Sequence, residues 1–185
     1  FRFLWLVKNK KIDVKKISTD CGRKFGLFLF LSNSIFYIID VDLFLNWKLG
    51  LIFPIIIIGS GIYSILHSRK KLGGYINWGE AFVSYMVCVT VGMVIAALVQ
   101  MFIFIILDPA AAEYIHESSM VMAKEWYTGF NVPEEVIEQA LIEAEKNPPF
   151  SFSNITLSLA MGIAIQAIFG SINALIFKRS NPEIA

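Results

Sequence analysis

Hydrophobic positions run along this chain in long unbroken stretches, not in the short alternating or amphipathic patterns of a soluble domain. The longest, residues 82–107, holds no charged residue, and a spanning helix needs about 20 such residues. Three further stretches, at roughly 22–39, 49–66 and 155–177, are of the same kind. The first is the weakest. Its uncharged core is shorter than the usual range of about 17–25 residues, and Arg23 and Lys24 must snorkel to extend it. Ser32, Asn33 and Ser34 sit within it, and Asp40 and Asp42 stop it. The second carries Pro54 near its expected start, where a missing N–H matters least, and closes with His67, Arg69, Lys70 and Lys71. The pattern predicts an all-α polytopic membrane protein with four transmembrane helices.

Every fourth residue of the third span is small or polar: Ser84, Cys88, Gly92, Ala96, Gln100. The fourth span has a matching stripe: Ser158, Gly162, Gln166, Gly170, Ala174. Small residues let helix backbones approach closely in lipid, and polar ones act as hydrogen-bonding glue. From the rise per residue, Gln100 is expected to face Ser158–Gly162 and Gln166 to face Gly92–Ala96. Bulk at Gly92 or Gly162 is expected to separate the helices. The first and third spans end alike (IFYIID, Ile35–Asp40; IFIILD, Ile103–Asp108), as do the second and fourth (GSGIYSILHSR, Gly59–Arg69; GSINALIFKR, Gly170–Arg179). Two tandem helical hairpins, as in some transporters, and chance similarity of apolar segments both account for this.

Between the third and fourth spans, residues 108–150 form an acidic segment with nine acids and two bases. It is expected to be an extracytoplasmic helical insertion of two helices. The first covers roughly Pro109–Tyr127, with Ile115, Met122 and Trp126 on one face. The second starts at Asn131, with Glu134 completing a capping box and Pro133 in its first turn. It runs to Lys146 with Ile137, Ala140, Leu141 and Ala144 on one face, and Asn147, Pro148 and Pro149 end it. These faces suit each other or a partner protein.

Charge placement orients the chain. Thirteen of the sixteen Lys and Arg residues lie in the N-terminal segment, the 67–81 loop and the C-terminal tail. That bias puts both termini, including the tail 181–185, in the cytoplasm, and the acidic loop outside. The basic arm, residues 1–21, interleaves Lys and Arg with Phe3, Trp5 and Ile12. Its apolar residues follow no clean helical period, so a solvated topology signal is favoured over a membrane-surface helix. The chain begins at Phe1 and not at Met, so residues upstream of it are expected.

Candidate chemistry is sparse. Cys21 and Cys88 form no paired-cysteine pattern. His116 with Glu113 and Glu117 lacks the three or four placed ligands of a zinc site. No metal, cofactor or catalytic set is expected, and no nucleic-acid partner, since the net charge is only +1. The interfacial acids are Glu80 and Asp108. Glu80 suits a helix cap better than a binding site. No ionisable residue lies deep in a span, which weighs against a proton- or ion-coupled carrier. The intramembrane polar and packing positions singled out are Asn33, Ser84, Gly92, Gln100, Gly162, Gln166 and Gly170.

The GGYINWGEAF run before the third span (Gly73–Phe82), Asp108-Pro109 at its end, the acidic segment closing in NPPF (Asn147–Phe150) and the final GSINALIFKR together resemble Domain of Unknown Function family 4199. The resemblance covers about residues 20–180, and the basic arm exceeds the family's usual start. It implies a small four-helix inner-membrane protein of Bacteroidota and no established activity. The expected function is a non-enzymatic inner-membrane subunit or scaffold, in contact with membrane lipid, that docks another membrane or periplasmic protein or a second copy of itself. The alternative is a small-solute carrier or channel built from two hairpins.

Overall fold

In a computed structural model the described backbone covers residues 2–179, with side chains from Asp13 onward, so the tail 181–185 and most of the basic arm's side chains lie outside it. The described residues form six α-helices and no strand. Helix α1 spans Arg2–Ile39, followed by a 3₁₀ turn at Val41–Leu45; α2 spans Trp47–Lys71 and α3 Trp78–Met101. A π-helical segment, Phe102–Leu107, prolongs α3. Then come α4 (Pro109–Gly129), α5 (Glu134–Glu145) and α6 (Phe152–Phe177).

Among the described residues three helical stretches are long and apolar enough to cross a membrane: Trp47–Lys71, Trp78–Leu107 and Phe152–Phe177. Only 17% of the apolar window of α2 and of α6 is buried within the molecule, so most of their surface needs an apolar surrounding. The stretch Trp78–Leu107 is about 45 Å long at 1.5 Å per residue, against a hydrocarbon core of about 30 Å. Helix α1 is not among the three, for the reasons that mark it as the weakest in the sequence.

Helix α3 is the centre of the molecule, packed against α1, α2 and α6. Its partner along most of its length is α1, which runs parallel to it. Ser18 meets Ser84, Phe25 meets Gly92, and Asn33 meets Gln100. The buried stripe of α1 has six side chains, Val14, Ser18, Cys21, Phe25, Leu29 and Asn33, with Gly22 and Gly26 buried beside them. This is helical spacing throughout, but two of the six are polar and one is cysteine, so a search for apolar periodicity passes over it. Residues 13–21, expected as solvated arm, are thus continuous with the helix and supply Val14, Ser18 and Cys21 to its packed face.

At one end the chain is tied by main-chain bonds. Gly73 and Gly74 take φ of +82° and +94° to turn out of α2, a conformation open to glycine. Ile76 and Arg179 then exchange N–H···O bonds of 2.9 and 2.8 Å, and the Arg69 guanidinium donates to the Phe177 carbonyl. At the other end aromatic rings close the structure: Phe104 stacks on Phe150 with centroids 4.0 Å apart and meets Phe44 edge-on at 5.2 Å. Ala111 and Ile115 of α4 seat on Val99, Ile103 and Phe104.

Two helix starts differ from the sequence reading. Helix α2 begins at Trp47, with the Asn46 side chain accepting from the Lys48 N–H. Pro54 therefore lies a full turn or more inside the helix, where it withholds a donor from the Gly50 carbonyl. Asn131 does not cap α5. It adopts φ 55°, and its N–H donates to Thr128 O while the Val132 N–H donates to Tyr127 O, the paired bonds of a Schellman ending to α4. Asparagine tolerates this left-handed position better than most residues, so it is consumed by the preceding helix. Helix α5 starts at Glu134 behind Pro133 with no side-chain cap.

Candidate functional site

The polar residues singled out in the sequence assemble at three levels along α3. At the first, Ser84 lies 3.0 Å from Ser18 Oγ of α1 and 3.0 and 2.8 Å from Ser64 and Ser68 Oγ of α2. All four serines are fully buried. Each side-chain oxygen is satisfied inside the cluster or by a nearby carbonyl, such as Val14 O and Ser84 O. This is a three-helix junction without a free nucleophile or an adjacent base.

One residue further along, Tyr85 is fully buried, and its ring fills the space left by Gly61 of α2 and Gly170 of α6. Its hydroxyl donates to Gln166 Oε1 at 2.6 Å. Gln166 was expected opposite Gly92–Ala96; it reaches Tyr85 instead, because Gly170 lets the tyrosine ring in beside α6. Gly92 faces the Phe25 ring of α1, and Gly162 touches only the Met93 methyl. The α3 stripe is therefore spent mainly on α1, not on α6. Tyr85 was missed in the sequence; the signal was a phenol in an apolar run, which needs a hydrogen-bond partner when buried.

At the third level α1, α2, α3 and α6 do not close. A cavity of about 310 Å³ lies between them, lined by Asn33, Gln100 and Ser158 among apolar groups such as Phe36, Phe53, Ala97 and Ile155. Asn33 and Ile155 are buried, whereas Asn46, Gly50 and Ser158 are exposed and mark the rim. The Gln100 Nε2 donates to Asn33 Oδ1 at 3.5 Å, and Asn33 Nδ2 donates to Leu29 O at 2.8 Å. Gln100 and Ser158, expected opposite each other, do line one space, though the bonded partner of Gln100 is on α1. No charged residue lines it.

The interfacial acids are structural and far apart. Glu80 and Asn77 form a reciprocal capping box on α3, with bonds of 3.0 and 2.9 Å. Asp108 caps α4 through the Ala111 N–H and accepts the Tyr37 hydroxyl at 2.9 Å. They stand at opposite ends of α3 and its π-helical extension, about 40 Å apart at 1.5 Å per residue, too far for one acid–base pair. Among the described residues no group of three or more His, Cys, Asp or Glu is placed to hold a metal.

Among the described residues helix α5 packs mainly on α4, and Ile137 is its buried residue. Trp126, expected on one face of α4 with Ile115 and Met122, is 57% exposed, and Phe130 at the turn is 76% exposed. Val121, Val136 and Ile142 are exposed on the same two helices. At the base, Tyr114 donates to Asp42 at 2.9 Å, and that carboxylate pushes the tyrosine's phenol pKa up.

A family model described as "Protein of unknown function (DUF4199)" matches residues 21–179. No match was found among curated proteins or among solved structures.

Proposed function

The chain belongs to the DUF4199 family, and from that premise we propose that it is a non-enzymatic inner-membrane subunit whose α4–α5 pair docks a partner protein. The observation that carries this reading is the exposed aromatic pair, Trp126 and Phe130, at the far end of α4 from its buried seat at Ala111 and Ile115. Aromatic side chains of this kind dominate the energetics of protein interfaces. In this reading α1, α2, α3 and α6 all cross the membrane as a four-helix bundle; the parallel pairing of α1 along α3 supports the fourth span. The Lys and Arg bias then places both termini in the cytoplasm and the acidic pair α4–α5 in the periplasm. The sign of that segment disfavours anionic lipid and favours a protein surface.

The test is affinity purification of the tagged protein from its own membranes in mild detergent, read by native mass spectrometry. A stoichiometric partner or second copy, lost in Trp126→Ala/Phe130→Glu while the fold survives, is the expected result. A wild-type monomer with no companion overturns the reading.

The cavity favours a second reading, a small-solute carrier or channel. Against it, the space ends at Met93, and beyond lies the close-packed core of Ile65, Tyr85 and Val89. Solute flux in proteoliposomes that is abolished by Gln100→Leu would promote this reading over the first.

A further inference from the structure

We propose that the cavity between α1, α2, α3 and α6 is a binding site for a neutral, lipid-soluble molecule with an apolar body and a hydroxyl head, such as a long-chain alcohol. Three observations converge on that chemistry. The wall is mainly apolar and carries no charge, so an ionised headgroup would be left unpaired at a cost of several kcal/mol. The polar groups of the lining residues include acceptors short of donors. Gln100 Oε1 has no hydrogen-bond partner among the described residues. Gly50, at the rim, carries a carbonyl whose usual helical donor is withheld by Pro54. Ser158 Oγ, also without a partner among the described residues, can donate or accept. A hydroxyl satisfies both needs with one oxygen. Finally, the rim residues Gly50 and Ser158 are exposed positions within the apolar helices α2 and α6, both of which are long and apolar enough to cross a membrane, so the mouth suits entry from the bilayer. A volume of about 310 Å³ lies within the size range of small-molecule sites. The site is distinct from the α4–α5 surface, and neither proposal depends on the other.

The experiment uses the full chain in phosphatidylcholine nanodiscs and a long-chain alcohol bearing a photoreactive diazirine. The carboxylate and the plain alkane of the same length serve as comparison probes. Labelled positions are read by peptide mass spectrometry. Saturable labelling of Phe53, Ile57, Met93 or Leu159, displaced by unlabelled alcohol, is expected. The alkane should label about three- to tenfold less, the factor that one hydrogen bond supplies, and the carboxylate less still, about a hundredfold or more, because its charge finds no partner. Gln100→Leu should reduce the alcohol to the alkane's level. Gly50→Trp should abolish labelling, because a Cβ at Gly50 meets nothing within 4 Å and the indole can fill the mouth without moving backbone. Gly59→Trp, equally unobstructed but outside the cavity, should leave labelling unchanged. If Gln100→Leu fails to fold, Gly50→Trp still decides. The proposal falls if labelling is spread along outward helix faces and ignores Gly50→Trp. It also falls if all three probes label the cavity equally.

Discussion

At the scale of single residues, the most demanding side chain in the molecule is Tyr85. It is buried without exposure, wedged between two glycines on different helices, and bonded to one buried amide. Tyr85→Phe keeps the wedge and strands the Gln166 oxygen. In a membrane protein such a bond is worth about 0.6–2 kcal/mol. We expect a loss in that range by reversible unfolding in mixed micelles, and a smaller further loss when Gln166→Leu is added, because the stranded oxygen is then gone. The two stripe glycines, equivalent in the sequence, separate in the structure. A Cβ at Gly92 collides with the Phe25 ring, whereas one at Gly162 meets the end of a flexible methionine. Gly92→Ala should cost at least about 1–3 kcal/mol, the usual penalty for overpacking, and Gly92→Leu should prevent assembly. Gly162→Ala should lie within about 0.5 kcal/mol of the parent. Equal losses at the two sites would contradict the register of α1 on α3.

Among elements, the long apolar helices were legible because their signal is simple: about twenty uncharged residues with breakers at both ends. The capping role of Glu80 was legible from its place one turn before the third span, whereas its reciprocal partner Asn77 emerged only in the structure. What was not legible depended on neighbours. The α1 stripe was hidden because Ser18 and Asn33 count as polar although they are its buried positions. The cavity was hidden because it arises where helices diverge, and no single segment encodes it, though Asn33, Gln100 and Ser158 were each visible as polar positions. The Asn131 position fits two local rules at once, a helix start and a left-handed helix end; the second won because α4 needed an ending two residues before Pro133. Replacing it discriminates the two roles. Asn131→Gly should be neutral or better, and Asn131→Val should cost about 1–2 kcal/mol. Hydrogen exchange should then rise at the amides of residues 130–132. A capping role would instead make Gly and Val both mildly unfavourable and loosen the first turn of α5.

For the whole molecule, the arrangement is centred and unequal. Helix α3 touches α1, α2 and α6, while α1 and α6 are not a packed pair. Two related hairpins about a shared axis would give α1 the same contact with α6 that α3 has with α2, so the packing lacks the symmetry that the matching segment ends suggest. The Ile76–Arg179 exchange and the Arg69–Phe177 bond hold the α2–α3 loop and the end of α6 together at one end, and the aromatic rings close the other.

The parallel register of α1 on α3 has a consequence for biosynthesis. The best partner of the first helix is made only after the second helix and its loop have left the ribosome. In the four-span reading proposed above, Ser18 and Asn33 lack their α3 neighbours until then, and the least apolar of the long helices waits in the membrane with only its smaller contact to α2. Contacts so distant along the chain form late and leave the intermediate exposed to quality control. A nascent chain ending at Lys71 should therefore be cleared by membrane proteases far faster than one ending at Leu107. Pulse–chase labelling of the two truncations measures the difference directly, and equal half-lives would mean that α1 is held by something other than α3.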